Sequence, residues 1–181
     1  MAKSTGIMTR ARKFLDKSTL KQLYYSFLYP YLTYCITIWG NAPATTLWPI
    51  IRAQKRSIRI IENIRYRDST KEAFINLKML KLPELYKFAV LLFVYKYKNM
   101  LLPLPFNNFF TMNNQIHRHN TRNADNFRVP ATKLRMASSF IKKTGVTVWN
   151  DLSNRLDHQM KLGKFKTTVN NLLLSSYKDI Q

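Results

Sequence analysis

The longest stretch with an unbroken helical period covers residues 20–40, LKQLYYSFLYPYLTYCITIWG. Large side chains recur in it at alternating steps of four and three, at Leu20, Tyr24, Phe27, Tyr31, Tyr34 and Ile38. Three more lie beside this stripe: Leu23, Leu28 and Cys35. Such spacing puts a wide apolar stripe on one side of a helix, and that stripe must pack against another surface. The pattern predicts one central helix in the domain.

The ends and the middle of this predicted helix carry separate signals. Ser18 is the predicted N-cap, because its hydroxyl can accept from free amides of the first turn. Gly40 is the predicted end. Pro30 removes a backbone donor in the middle, at a cost of about 3 kcal/mol unless packing offsets it. We therefore predict a kinked helix packed on both sides, in which Leu23→Ala or Phe27→Ala costs about 2–5 kcal/mol.

The charge of the chain points to a polyanionic partner. Thirty Lys and Arg stand against nine Asp and Glu, for a formal net charge of +21, while an apolar fraction of 46% can supply a core. Like charges at this density repel one another in a compact state, so binding to a polyanion is the natural explanation. Nucleic acid is the first candidate and an anionic membrane surface the second.

The compartment follows from the cysteine content and from the absence of an apolar span. A single cysteine, Cys35, excludes an internal disulfide framework and favours a reducing compartment. No stretch approaches the ~18 apolar residues that a spanning helix needs. The opening MAKSTGIMTRARKFL resembles a transit peptide faintly, but we favour an ordinary first helix over residues 5–15. We expect an intracellular protein, nuclear or cytoplasmic, that is not secreted.

A third predicted helix, beginning near Thr46, carries the clearest functional signal. At about 100° per residue, its cations cluster on one edge: Arg52, Lys55, Arg56 and Arg59. Its large aliphatic residues lie nearly opposite: Leu47, Ile50, Ile51, Ile58 and Ile61. Most charge runs are solvated faces, but no acid stands at the i,i+4 positions that would pair these cations. We therefore favour phosphate contact, and Arg65 and Arg67 extend the candidate nucleic-acid-binding set into the following turn.

The rest of the chain is also read as mainly helical. Helices are predicted over residues 72–77, 81–98, 144–152 and around 162–173, and the Pro- and Asn-rich residues 101–126 form an irregular connection. Residues 126–130 and 138–141 are expected to pair as a small β-hairpin. The fold class is mainly α, a helical bundle in four segments: a connecting helix 1–17, a helical domain 18–102, a linker 103–143 with the hairpin, and a short C-terminal helical tail 144–181.

No catalytic centre is visible in these residues. His117, His119 and His158 are not spaced as metal ligands with the cysteine, and exposed loop positions or nucleic-acid contacts suit them better. The four glycines are isolated, so there is no phosphate-binding loop. No pair of acids sits in an apolar run, as two-metal nucleotidyl transfer needs. We predict no catalytic residue, metal or cofactor in this chain.

The aromatic residues are predicted to serve the core before they serve binding. Tyr25 and Tyr29 lie off the central stripe, where they could stack on a base or a ribose. Trp39, Trp48 and Trp149 are predicted to anchor helix ends by packing.

Several strings, in order, resemble the C-terminal third of non-LTR retrotransposon reverse transcriptases of the jockey type. These are LYYSFLYPYLTYCITIWGNA, QKRSIRII and YRDSTKEAFINLKMLKLPELYKF, followed by KNMLLP, by Thr121 and Arg122 with FRVP, and by GVTVWNDLSNRL with FKTTVNNLLL. The resemblance covers nearly the whole chain. It implies the helical thumb of a right-hand polymerase and the tail beyond it, so that the bundle is thumb-like. The catalytic acids of that family lie upstream, in a palm motif that this chain lacks.

The resemblance implies a nucleic-acid-binding fragment of an RNA-directed DNA polymerase. Its partners would be RNA and DNA, as a template–primer duplex, and the palm and fingers of the parent enzyme. Any divalent metal would belong to the palm, and no activity is expected of the fragment alone. Two alternatives stay open: a stand-alone basic module that binds RNA or proteins, and binding of amphipathic basic helices to a membrane surface.

Overall fold

Helices dominate the part of the chain that the structure describes, as the sequence predicts. The structure is a computed structural model, and it describes residues 1–116, 123–133, 140–152, 156 and 159–177. The α-helices are α1 (Ala2–Ala11), α2 (Lys17–Phe27), α3 (Tyr29–Thr33), α4 (Ile36–Trp39), α5 (Ala44–Glu62), α6 (Lys71–Asn76), α7 (Leu82–Lys98), α8 (Ile141–Leu152) and α9 (Leu162–Ser175). Two short 3₁₀ helices cover Leu104–Phe106 and Asn113–Gln115.

The chain divides into two compact units. The first combines Met1–Tyr86 with Leu172–Gln181, and the second is Lys87–Asn171. In the first unit, the Tyr177 hydroxyl accepts from the Lys81 amide at 2.8 Å and donates to Glu84 Oε2 at 3.2 Å. These bonds join Tyr177, which follows α9, to the start of α7. The predicted division into four segments stays a prediction.

The prediction of one kinked helix over residues 20–40 is wrong. The stretch forms α2, α3 and α4, with the first break at Leu28 and the second at Cys35, whose φ is 50°. Pro30 lies in the first turn of α3, where its missing amide would have no intrahelical partner in any case. The backbone of Cys35 has left-handed helical dihedral angles, and this conformation cannot continue a right-handed α-helix. Both breaks therefore have a local cause.

The breaks also change which residues are buried. The buried positions recur every four residues, at Leu20, Tyr24, Leu28, Leu32 and Ile36. Four predicted stripe residues are exposed instead: Phe27 (43%), Tyr31 (62%), Tyr34 (78%) and Ile38 (79%). Three-and-four spacing assumes one continuous helix, and each break reorients the face of the segment that follows.

A buried and an exposed aliphatic residue in this region give a direct test of the corrected stripe. Leu32 is fully buried, so Leu32→Ala should lower the free energy of unfolding by about 2–5 kcal/mol. Ile38→Ala, at an exposed position, should cost less than about 1 kcal/mol, and Phe27→Ala should fall below the range expected from the sequence. Urea unfolding measures these losses. Equal losses for Leu32→Ala and Ile38→Ala would contradict this assignment of the core.

The predicted cap of the central stretch is also corrected, since Asp16 and not Ser18 caps α2. The Asp16 carboxylate accepts from the Ser18 amide at 3.0 Å, from the Thr19 amide at 3.4 Å and from the Thr19 hydroxyl. The hydroxyl bond is the main reason why the pKa of Asp16 lies below its usual value. Asp is as good an N-cap as Ser, and the helix begins two residues earlier than the sequence pattern indicates.

One buried side chain fixes α5 within the first unit. Gln54 is 1% exposed, and its Nε2 donates to Tyr24 Oη at 3.1 Å and to the Leu80 carbonyl at 3.0 Å. Its Oε1 accepts from the Leu82 amide at 3.0 Å. A polar group this deeply buried needs all of its partners. Gln54 thus ties α5 to α2 and to the start of α7, and sets the rotation of α5 about its axis.

The second unit has a core of its own, built on aromatic rings. Tyr95 on α7 stacks on Phe165 of α9 with ring centroids 4.1 Å apart, and Phe110 meets Tyr97 edge-on at 4.9 Å. Asn150 of α8 pairs with the backbone of Phe127, donating to its carbonyl at 2.8 Å and accepting from its amide at 3.2 Å. These contacts hold the irregular connection against helices.

The predicted hairpin stays a prediction. Residues 138 and 139 of its second strand lie outside the described residues, and Ile141 begins α8. In the first strand, Phe127 forms an isolated antiparallel bridge with Met112. The Arg128 amide donates to the Thr111 carbonyl at 2.8 Å beside it.

Candidate nucleic-acid interface

Four of the six candidate cations line one cleft in the first unit: Arg52, Lys55, Arg56 and Arg59. All four come from α5, and the first turns of α1 supply the facing wall with Ala2 and Thr5. The volume of the cleft is about 810 Å³. The sequence placed these cations on one edge of a helix, and the structure brings them together around one concave surface.

The amphipathic pattern of α5 explains why its cations face the cleft. The side opposite them is buried through Leu47, Ile58 and Ile61, as predicted from the sequence. Ile50 and Ile51, also predicted on the buried edge, are only half-buried, and Ile50 lines the cleft. These two residues lie at the boundaries between the buried face and the basic face of α5. The helix α1 packs against α5. The predicted buried edge is thus corrected at these two positions.

The four cations keep their charge uncompensated. Across the described residues, no carboxylate oxygen lies within 4.0 Å of a nitrogen of these side chains. An ion pair is formed at the end of α5, but it joins Lys17 Nζ to Glu62 Oε2 at 2.8 Å. Nor does any acidic side chain line the cleft in the part of the chain that the structure describes. Positive charge collected in a concave surface attracts anions more strongly than the same charge spread over a convex one.

Two of the cations are held in place by aromatic rings and not by acids. The Arg59 guanidinium carbon lies 5.6 Å from the centroid of the Tyr66 ring, and Lys55 Nζ lies 5.6 Å from that of Trp48. Arg59 Nη2 also donates to the backbone carbonyl of Asp68 at 3.0 Å. Cation–π contacts orient a cation without neutralising it. Arg59 Nε is buried without a hydrogen-bond partner, so Arg59 keeps an unused donor.

Arg65 and Arg67, the other two candidates, are exposed on the turn after α5 and do not line the cleft. The acid of this turn, Asp68, uses its Oδ2 to accept from the Arg65 backbone amide at 3.2 Å. The structure therefore separates the candidate set into four residues of the cleft and two of an exposed turn.

Tyr66 is the functional candidate that sequence reasoning missed. It lines the cleft and is 74% exposed, between Arg65 and Arg67 in the sequence. An aromatic residue between two arginines was the signal that could have identified it. Tyr25 and Tyr29, the stacking candidates from the sequence, pack on each other with centroids 5.2 Å apart and do not line the cleft.

Two further expectations concern metals and membranes. Within the described ranges, no group of three or more His, Cys, Asp or Glu is arranged to hold a metal ion. His117, His119 and His158 lie outside those ranges, so their roles stay predictions. Of the helices that the structure describes, none combines the length and the apolar character needed to cross a bilayer.

Comparisons of the chain with protein-family models, with curated proteins and with solved structures find no match. The relation to reverse transcriptases therefore rests on the sequence strings quoted above and stays a prediction.

Proposed function

We propose that this chain binds nucleic acid through the α5 cleft, as a thumb and C-terminal fragment of a retroelement RNA-directed DNA polymerase. Its role is to grip the phosphate backbone of a template–primer duplex of RNA and DNA. One observation carries the proposal: Arg52, Lys55, Arg56 and Arg59 line a single cleft, and no carboxylate joins that lining among the residues that the structure describes. An uncompensated basic surface of this kind is the electrostatic footprint of a nucleic-acid site.

The mechanism is positioning and not chemistry. Each cation that meets a phosphate releases condensed counterions, and this release supplies affinity that does not depend on sequence. Arginine adds paired donors that match the geometry of phosphate oxygens. Because Gln54 bonds α5 to Tyr24, Leu80 and Leu82, the backbone that carries the cations is already ordered before the ligand binds. Nucleotidyl transfer, and the divalent metal it uses, belong in this proposal to the palm of the parent polymerase, which with the fingers is the protein partner.

A second candidate is a stand-alone basic module derived from such an element, which binds RNA or proteins without a polymerase. One observation favours this candidate. The lining residues of the cleft all fall within residues 1–66, and these residues belong to the first unit. The genomic sequence directly upstream distinguishes the two. An in-frame palm motif there supports a polymerase fragment, and a promoter without such a motif supports the module.

A filter-binding titration of the purified chain tests the proposed site. The probes are a blunt 20-base-pair RNA–DNA hybrid and its single strands, each at 50 and 200 mM salt. With four phosphate contacts, log K for the hybrid should fall with log salt with a slope of at least about 3. An affinity for the hybrid that does not change with salt concentration would contradict the proposal. Anionic vesicles that compete as well as nucleic acid would favour the membrane alternative.

A further inference from the structure

The shape and the lining of the cleft suit a ligand with more than a row of phosphates. A phosphate backbone can be held by cations on a convex ridge, whereas this site is concave, with a volume of about 810 Å³. That size is typical of pockets that enclose a small organic molecule. Pro49, Ile50 and Ala53 give it an apolar part beside the cations. Apolar surface next to uncompensated cations matches a nucleotide, which joins a flat apolar base to a charged phosphate.

Tyr66 lines the cleft together with the four cations. The Arg59 guanidinium carbon lies 5.6 Å from the centroid of the Tyr66 ring, and Tyr66 as a whole is 74% exposed. A base inside a duplex is stacked on its neighbours and presents no free face, but an unpaired base does. Stacking on aromatic side chains in a basic groove is the way proteins hold single strands without reading their sequence.

We propose that the cleft takes an unpaired nucleotide, with its base stacked on Tyr66 and its phosphate against the α5 cations. The inference rests on the proposed function and deepens it, because it names the single strand as the ligand that enters the cleft. Double-stranded nucleic acid meets the same four cations through its phosphate backbone, but it offers no unpaired base to Tyr66. Trp48 has no such role, since it is exposed beside Lys55 but does not line the cleft.

The test compares Tyr66→Ala and Tyr66→Phe in the full chain, with a 12-nucleotide single-stranded RNA and a blunt RNA–DNA hybrid of the same sequence as probes. Tyr66→Ala should weaken single-strand binding by about 5- to 100-fold, the effect of losing one stacked base. Hybrid binding should change less than about twofold, because no base stacks on the ring there. Tyr66→Phe keeps the ring and should bind both probes as the wild type does.

Trp48→Ala is the matched control, because Trp48 is an exposed aromatic residue of α5 that does not line the cleft, and it should leave the ratio of the two affinities unchanged. Two results for Tyr66→Ala would contradict stacking on Tyr66: an equal loss of affinity for both probes, or unchanged affinity for the single strand. Either result would leave the proposed phosphate binding by the α5 cations intact. If the wild-type protein bound the hybrid in a salt-dependent way but did not bind the single strand, the stacking inference would be wrong and the proposed function would stand. Wild-type protein that binds neither probe would overturn the proposed function as well. A circular dichroism melt checks that each variant is folded.

Discussion

Replacing Arg52, Lys55 and Arg56 together with Ala should weaken binding to an RNA–DNA hybrid on the order of 100- to 1,000-fold at 0.1 M salt. Each lost phosphate contact removes about 0.9 units of salt slope on a duplex, so three contacts remove about 2.7 units. Arg59 is left intact because its guanidinium bonds to the Asp68 carbonyl, and its loss would also disturb the turn. Titrations at several salt concentrations measure both the affinity and the slope.

Two controls separate the cleft from the general charge of the chain. Arg52→Lys with Arg56→Lys keeps the positive charge and should keep the slope. Lys161→Ala, Lys164→Ala and Lys166→Ala remove the same charge from exposed positions at and before the first turns of α9, none of which lines the cleft. That second triple variant should lose much less slope than the cleft variant. Equal losses would mean that binding is spread over the surface, and the cleft would lose its special role.

The cations of α5 could be found from the sequence because one helix carries all of them. Periodicity within a single element needs no knowledge of tertiary structure. The other wall of the cleft comes from α1, and which helix packs against α5 cannot be read from spacing. Tyr66 lies past the end of α5, where helical periodicity no longer applies. The sequence therefore predicted the charge of the site but neither its concavity nor its aromatic ring.

The two prolines at 30 and 49 show a second limit of the sequence pattern. Pro49 lies inside α5, and the helix continues past it to Glu62, whereas Pro30 begins a new helix. Pro49 removes an intrahelical hydrogen bond from α5, whereas Pro30, in the first turn of α3, removes none. The helix around Pro49 packs on both α1 and α2, and this tertiary packing can offset that loss. At residues 20–40 the second break at Cys35 adds a left-handed residue that no pattern of apolar residues indicates.

Gln54→Leu should lower the free energy of unfolding by about 3–5 kcal/mol. Leucine has a similar size but leaves the Tyr24 hydroxyl, the Leu80 carbonyl and the Leu82 amide without their partner. Buried polar groups that lose a partner cost about 1–3 kcal/mol each, and local relaxation recovers part of this. Urea unfolding, followed by circular dichroism, measures the loss.

Gln22→Leu is the matched control, because Gln22 is exposed on α2 and the same substitution there should change stability by less than about 0.5 kcal/mol. Tyr24→Phe removes only one of the three bonds and should cost about 1 kcal/mol. If Gln54 sets the rotation of α5, Gln54→Leu should also weaken nucleic-acid binding at temperatures where the chain is still folded. A loss near that of Tyr24→Phe would mean that water replaces the missing partners, and that the apolar face of α5 alone directs its cations into the cleft.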